Sequence, residues 1–204
     1  MKIGPAEQNR RVDLLELYRR AQPEFIDRVG QIGPEDWSAP TPCADWDVRT
    51  LVNHVVGEDR WTVPLLAGAT IDEVGDRFAG DLLGADPVER ARDSAAQAEV
   101  AVSRPGALEH TVHLSVGDTP AREYLRQLIS EHLVHGWDLA VSIGAPPRLD
   151  VEAVRETVRW FAEREQSYRD SGIIHGRVEV PPDASEQDQL LGAFGRDPTW
   201  HPPR

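Results

Sequence analysis

Glu131 and His135 stand four residues apart in the stretch Ala121 to Gly144, AREYLRQLISEHLVHGWDLAVSIG. Written as a helix, this spacing brings both side chains to one face, one turn apart. Asp138 follows three residues later on the same face, which runs Tyr124, Leu128, Glu131, His135, Asp138. A stripe that begins apolar thus continues into two carboxylates and an imidazole, and burying such groups is costly unless something satisfies them. The spacing alone admits a plain reading, a hydrogen-bonded Glu–His pair at the edge of the core. A second histidine on another predicted helix, His54, lies beside the apolar positions Val48, Leu51, Val52 and Val55. Two imidazoles and one carboxylate are a suitable ligand set for zinc or a similar divalent ion, with one position left open as in reactive sites. The candidate metal ligands are therefore His54, Glu131 and His135. Glu58, one turn beyond His54, is a candidate for acid–base work. Asp138 is a second candidate in the chemistry, expected to orient a ligand or cap nearby backbone rather than bind metal directly. His132 points about a quarter-turn away from the ligand face and is expected to be dispensable to it. His110, His113, His175 and His201, like His132, have no partner evident in the sequence.

Four sizeable helical segments must position these groups. The first spans about Gln8 to Ile32, with Leu14, Tyr18, Ala21, Phe25, Val29 and Ile32 at helical spacing, Pro23 as a possible kink and Gly33-Pro34 as its stop. A turn-rich connector, EDWSAPTPCADWD, follows, whose Trp37 and Trp46 read as a lid packed on the bundle. Asp45 or Asp47 caps the second helix, Val48 to about Leu66. A third begins at the cap Asp86 with Pro87 in its first position and runs to about Ser103. Glu109 to Val116 alternates like a short strand or extended link, ending in a Gly117-Asp118 turn. The ligand-bearing helix comes next. A fifth helix is predicted over Val151 to Tyr168, then a short strand and turn in HGRVEVPPDAS and a short amphipathic helix in DQLLGAFGRDPTW. The fold class this predicts is all-α, a helical bundle over residues 1–145. Residues 146–204 form an extra helix and a small appendage. From about Ile173 the chain is too apolar for a solvated tail, with Val178, Val180, Leu190, Leu191, Phe194 and Trp200, and is expected to pack on the bundle.

Composition narrows the function classes. The chain has 204 residues, 40% hydrophobic and 28% charged, as in a globular protein with a sizeable core. A net charge of −13 argues against a nucleic-acid backbone or an anionic membrane as partner. No apolar run approaches a membrane span and the N-terminus lacks a signal-peptide core, so a cytoplasmic protein is expected, as a monomer or homodimer. Cys43 is the single cysteine, which excludes an internal disulfide or an all-cysteine zinc site; it reads as a small buried loop residue.

Two motifs carry a resemblance. PTPCADWDVRTLVNHVVG and EHLVHGWDLAVSIG resemble the two metal-binding helices of the mycothiol-dependent maleylpyruvate isomerase N-terminal family, in the DinB-like superfamily of four-helix metalloproteins. The tail, VEVPPDASEQDQLLGAFGRDPTW, resembles the end of short actinobacterial members. By motif, the family's metal ligands fall on His54, Glu131 and His135. The resemblance implies a DinB-like bundle, a divalent metal, most simply Zn2+, and mycothiol as cosubstrate. It implies transfer of the thiol to a small electrophile, or thiol-assisted isomerisation of one. The full isomerase carries a larger C-terminal domain, for which residues 146–204 would be a short substitute. The other reading is a non-catalytic metal or small-ligand binding protein on the same fold.

Overall fold

The computed structural model describes residues 13–170, 172, 174 and 176–203. Its helices are α1 Leu14–Val29, α2 Val48–Leu66, α3 Ile71–Val74, α4 Pro87–Val102, α5 Ala121–Ser142, α6 Val151–Ala162, α7 Glu165–Asp170 and α8 Glu186–Ala193. A hairpin of β1 Thr111–Leu114 and β2 Gly117–Pro120 precedes α5. The all-α class holds, and the hairpin is the one sheet among the described residues.

Helices α1, α2, α4 and α5 make the bundle. α1 lies along α5, α2 against α4 and α5, and α1 also meets α4. Each start is fixed locally: Asp13 caps α1, Asp47 caps α2 through the Thr50 N–H at 2.7 Å, and Asp86 caps α4. One apolar cluster gathers Tyr18, Leu125, Leu128, Leu133 and Trp137 with the C-terminal Phe161, Leu191 and Phe194. The other gathers Phe25, Val29, Leu51, Val52, Val55 and Leu139 under the connector. α5 runs through both, and sixteen of its residues are buried, which is why its polar side chains need partners.

Several expectations change in detail. α1 ends at Val29 rather than Ile32 and runs through Pro23; the predicted start at Gln8 lies outside the described residues, as do Ile173 and His175. α3, held by a Thr70–Glu73 capping box, is a short helix between α2 and α4 where none was predicted. The turn after β1 falls at Ser115-Val116, and Gly117–Pro120 is itself a strand pairing Val112 with Thr119. The fifth helix breaks after Ala162, where the Arg164 N–H turns back to the Phe161 carbonyl at 2.8 Å and the Arg164 guanidinium donates to the Trp160 carbonyl at 2.9 Å. The strand expected near Val178 is absent; the Val178 N–H donates instead to the Gly192 carbonyl at 2.9 Å. That approach needs a glycine, since a Cβ on residue 192 would lie 2.6 Å from the Val178 oxygen.

The C-terminal elements are docked. α6 packs on α5 and α8 packs on α6, with Phe194 stacked on Phe161 at 4.2 Å between ring centres. Phe194→Ala should therefore destabilise the protein by about 3 kcal/mol in urea unfolding and speed protease cleavage after α7. Unchanged cleavage there would mean that this contact does not hold the appendage.

Candidate metal centre

The connector between α1 and α2 closes over the ends of α2 and α5. Its backbone is pinned by an antiparallel Pro40–Asp47 bridge and by the buried Thr41 hydroxyl, which donates to the Trp46 carbonyl at 2.9 Å. This fixes Trp46, whose ring lies 4.8 Å from the His54 ring and 5.7 Å from the His135 ring. Beneath it α2 presents His54 and α5 presents Glu131 and His135. His54 Nε2 and His135 Nε2 each lie 3.1 Å from the same oxygen, Glu131 Oε2. Among the described residues, these three form a group whose donor atoms all fall within 4.8 Å of one another. Ligand atoms around a tetrahedral zinc, at bond lengths of about 2.0–2.1 Å, sit roughly 3.3 Å apart. The three side chains therefore fit a divalent ion with little rearrangement. His54 and Glu131 are each 31% exposed and His135 only 9%, so the group opens to solvent on one side.

His135 is also held from behind. Its Nδ1–H faces Asp138 Oδ2 at 3.0 Å, which leaves Nε2 as the free donor atom. Asp138 is fully buried and is gripped by Arg196, which donates from Nε and Nη2 at 3.2 and 2.8 Å. The same guanidinium donates to the Phe194 carbonyl at 2.9 Å and touches Cys43 Sγ at 3.0 Å. Cys43 Sγ is also 3.5 Å from Asp138 Oδ2, so this half-buried thiol belongs to the support of the site, a role its loop position did not announce. Cys43, His135 and Asp138 also form a group of metal-ligand spacing, but Arg196 already supplies the cation there.

Electrostatics follow this layout. Burial alone would lower the His135 pKa; the Asp138 carboxylate, Cys43 and Glu131 reverse that and raise it well above the usual imidazole value. Burial would raise Glu131, but hydrogen bonds from His135 and His54 hold it well below the usual carboxylate range. Asp138 is lowered: burial opposes ionisation, and His135 and Arg196 more than offset it. Glu58 moves the other way, pushed up to about 7 by burial and by the neighbouring Glu131 carboxylate.

The structure brings His54, Glu131, His135 and Asp138 into one cluster and sets Glu58 on the adjoining turn of α2. His113 pairs with Asp118 at 2.7 Å on the hairpin, and His201 faces the Thr199 carbonyl, both away from the cluster. Two features escaped the sequence reading. Arg196 lies in a loop that carries no pattern. His132 meets Asp59 of α2 at 3.3 Å, wholly buried. A signal for the second existed: Asp59 continues the apolar row Val52, Val55, Val56 at helical spacing, where a carboxylate demands a partner.

Residues 18–140, more than half of the chain, match the sequence profile described as mycothiol maleylpyruvate isomerase N-terminal domain. The chain belongs to that family. It is also 28% identical over 192 residues to an uncharacterized protein of Mycobacterium tuberculosis (strain CDC 1551 / Oshkosh), covering 91% of this chain and 98% of the relative. A protein from strain ATCC 25618 / H37Rv, likewise uncharacterized, matches to the same extent. The crystal structure of the mycothiol-dependent maleylpyruvate isomerase superposes with a TM-score of 0.69 at 18% identity, over 96% of this chain and 91% of that one. A histidine-to-alanine mutant of that enzyme superposes at 0.68 with 17% identity, over 95% and 90%. These likenesses show a shared DinB-like fold, and little of the isomerase chain lacks a counterpart here.

Proposed function

We propose that this member of the family is a divalent-metal enzyme, most simply a zinc enzyme. It would use a low-molecular-weight thiol of the mycothiol type to transfer sulfur to a small electrophile or to isomerise one. The observation that carries this reading is the convergence of His54 Nε2 and His135 Nε2 on Glu131 Oε2, each at 3.1 Å, with His135 Nδ1 engaged by Asp138. Family membership supports the thiol, and the donor set supports the metal. Residues 1–145 would supply the metal-binding bundle and 146–204 the appendage that completes it.

The chemistry that a bound divalent cation supplies is a lowered pKa for a thiol at the open position. The chain's own residues do the rest. Asp138 holds the His135 ring in one tautomer, and Arg196 holds Asp138. Trp46 covers both imidazoles and keeps bulk water off that side. Glu58, poised near neutrality, can accept the thiol proton at its carboxylate oxygen and return it to the product. No helix among the described residues is long and apolar enough to cross a membrane, consistent with a small-molecule substrate met in water.

The test is thiol consumption by metal-loaded protein given mycothiol and a panel of electrophiles. Metal-dependent thiol loss above the buffer rate is expected for transfer, and metal- and thiol-dependent conversion of an electrophile without net thiol loss for isomerisation, in which the thiol is released again. Stoichiometric metal binding with neither outcome across the panel would favour the non-catalytic binding protein instead.

A further inference from the structure

Helix α5 buries a second histidine one residue after the ligand Glu131. His132 is fully enclosed, with 0% of its side chain exposed, and Asp59 opposite it on α2 is 1% exposed. His132 Nδ1 faces the Leu128 carbonyl of its own helix at 2.7 Å, and Nε2 lies 3.3 Å from Asp59 Oδ1 across the helix interface, within ion-pair distance though not in hydrogen-bond geometry. The ring is held edge-on by two aromatic residues of α1, Tyr18 at 5.6 Å and Phe25 at 6.0 Å between ring centres. Asp59 Oδ1 also accepts from Gln22 Nε2 of α1 at 3.1 Å, so the pair ties three helices together.

Stability alone gives no reason for this pair. Asp59 Oδ2 and His132 Nε2 are both buried without a hydrogen-bond partner, and such groups cost free energy. Buried ion pairs are commonly replaced by apolar residues at no loss of stability; their best-attested use is to fix the register of packed elements. The elements fixed here are the two that carry the ligands. His54 lies five residues before Asp59 on α2, and Glu131 is the residue immediately before His132 on α5. A rotation or slide of α5 that carried His132 off Asp59 would carry Glu131 and His135 away from His54 by a similar amount.

We infer that His132 and Asp59 are positioning residues of the metal centre, a buried cross-helix pair that sets the separation and rotation at which α2 and α5 present His54, Glu131 and His135. This reverses the expectation that His132 is dispensable to the ligand face, and it rests on the metal-site reading above. His132 lies a quarter-turn from the ligands and touches none of them, so it would act through the helix register.

The experiment titrates cobalt(II) into full-length protein and records affinity and the visible absorption band, which reports ligand geometry. Four proteins are compared: wild type, Asp59→Asn, the double variant Asp59→Val/His132→Leu, and His135→Ala. Asp59→Asn keeps the shape and one acceptor, and should bind cobalt close to wild type with the same band. The apolar double variant should melt no lower than wild type yet bind cobalt about 10–100-fold more weakly, as when an outer partner of a metal site is lost. Its band should shift. A double variant with wild-type affinity and band would overturn the inference while leaving the ligand set standing. Equal binding by wild type and His135→Ala would overturn both. If the double variant does not fold, His132→Gln decides the matter: weaker binding with a shifted band supports the inference, and unchanged binding ends it.

Discussion

His135→Ala should leave the purified protein without bound metal, where the proposed site predicts one divalent ion per chain for wild type. The residue supplies Nε2 at 3.1 Å from Glu131 Oε2, and His54 is the one other imidazole of that group among the described residues. Loss of an outer-sphere partner costs metal sites about 10–100-fold in affinity, and loss of a ligand should cost more. Elemental analysis after dialysis reads the result. Equal metal in both proteins would remove His135 from the ligand set. Binding should also depend on pH in a definite direction. Metal and proton compete for Nε2, and the metal-free His135 holds its proton to unusually high pH because Asp138, Cys43 and Glu131 outweigh burial. Apparent affinity should then rise with pH up to that raised pKa, by roughly tenfold per unit for each proton released. A flat profile through neutrality would mean that no imidazole proton is displaced.

Arg196→Ala should be the most destabilising change outside the apolar core. Asp138 is fully buried, and Arg196 is the cation that faces it. Removing one partner of a buried pair typically costs about 3–5 kcal/mol because the other charge is stranded. Urea unfolding measures it, and Asp138→Asn/Arg196→Ala should recover part of the loss, since an amide strands no charge. The pH dependence has a fixed sign. The folded Asp138 pKa is lowered, so the pair's contribution is present above the unfolded value of about 3.9 and fades as pH falls through the lower folded one. A cost for Arg196→Ala within the ~0.5 kcal/mol typical of surface changes would show that the pair carries no weight.

What could be read from the sequence was whatever lies within one helix. Glu131, His135 and Asp138 share a face by arithmetic, and the caps Asp47 and Asp86 precede apolar rows at fixed offsets. The meeting of His54 with that face needed the bundle and the family motif, because no local rule links residues so far apart. Arg196 could not be read at all: its partners Asp138 and Cys43 lie far back in the chain, and its own loop is irregular. β2 was missed because Gly117, Asp118, Thr119 and Pro120 carry no apolar alternation; pairing with β1, not side-chain pattern, makes it a strand. Asp59 was legible, since a carboxylate that continues the apolar row Val52, Val55, Val56 requires a buried partner.

The reach of Arg196 back to Asp138 bears on the order in which the protein matures. The candidate ligands and their helices are all synthesised by Ser142, yet the guanidinium that neutralises the anchor beneath His135 arrives only with the loop after α8. A nascent chain interrupted before that loop would hold a bare carboxylate where the finished protein holds a closed pair. On the metal-site reading proposed above, stable metal acquisition would wait on a loop made well after the last ligand, and fragments lacking that loop would compete poorly for metal.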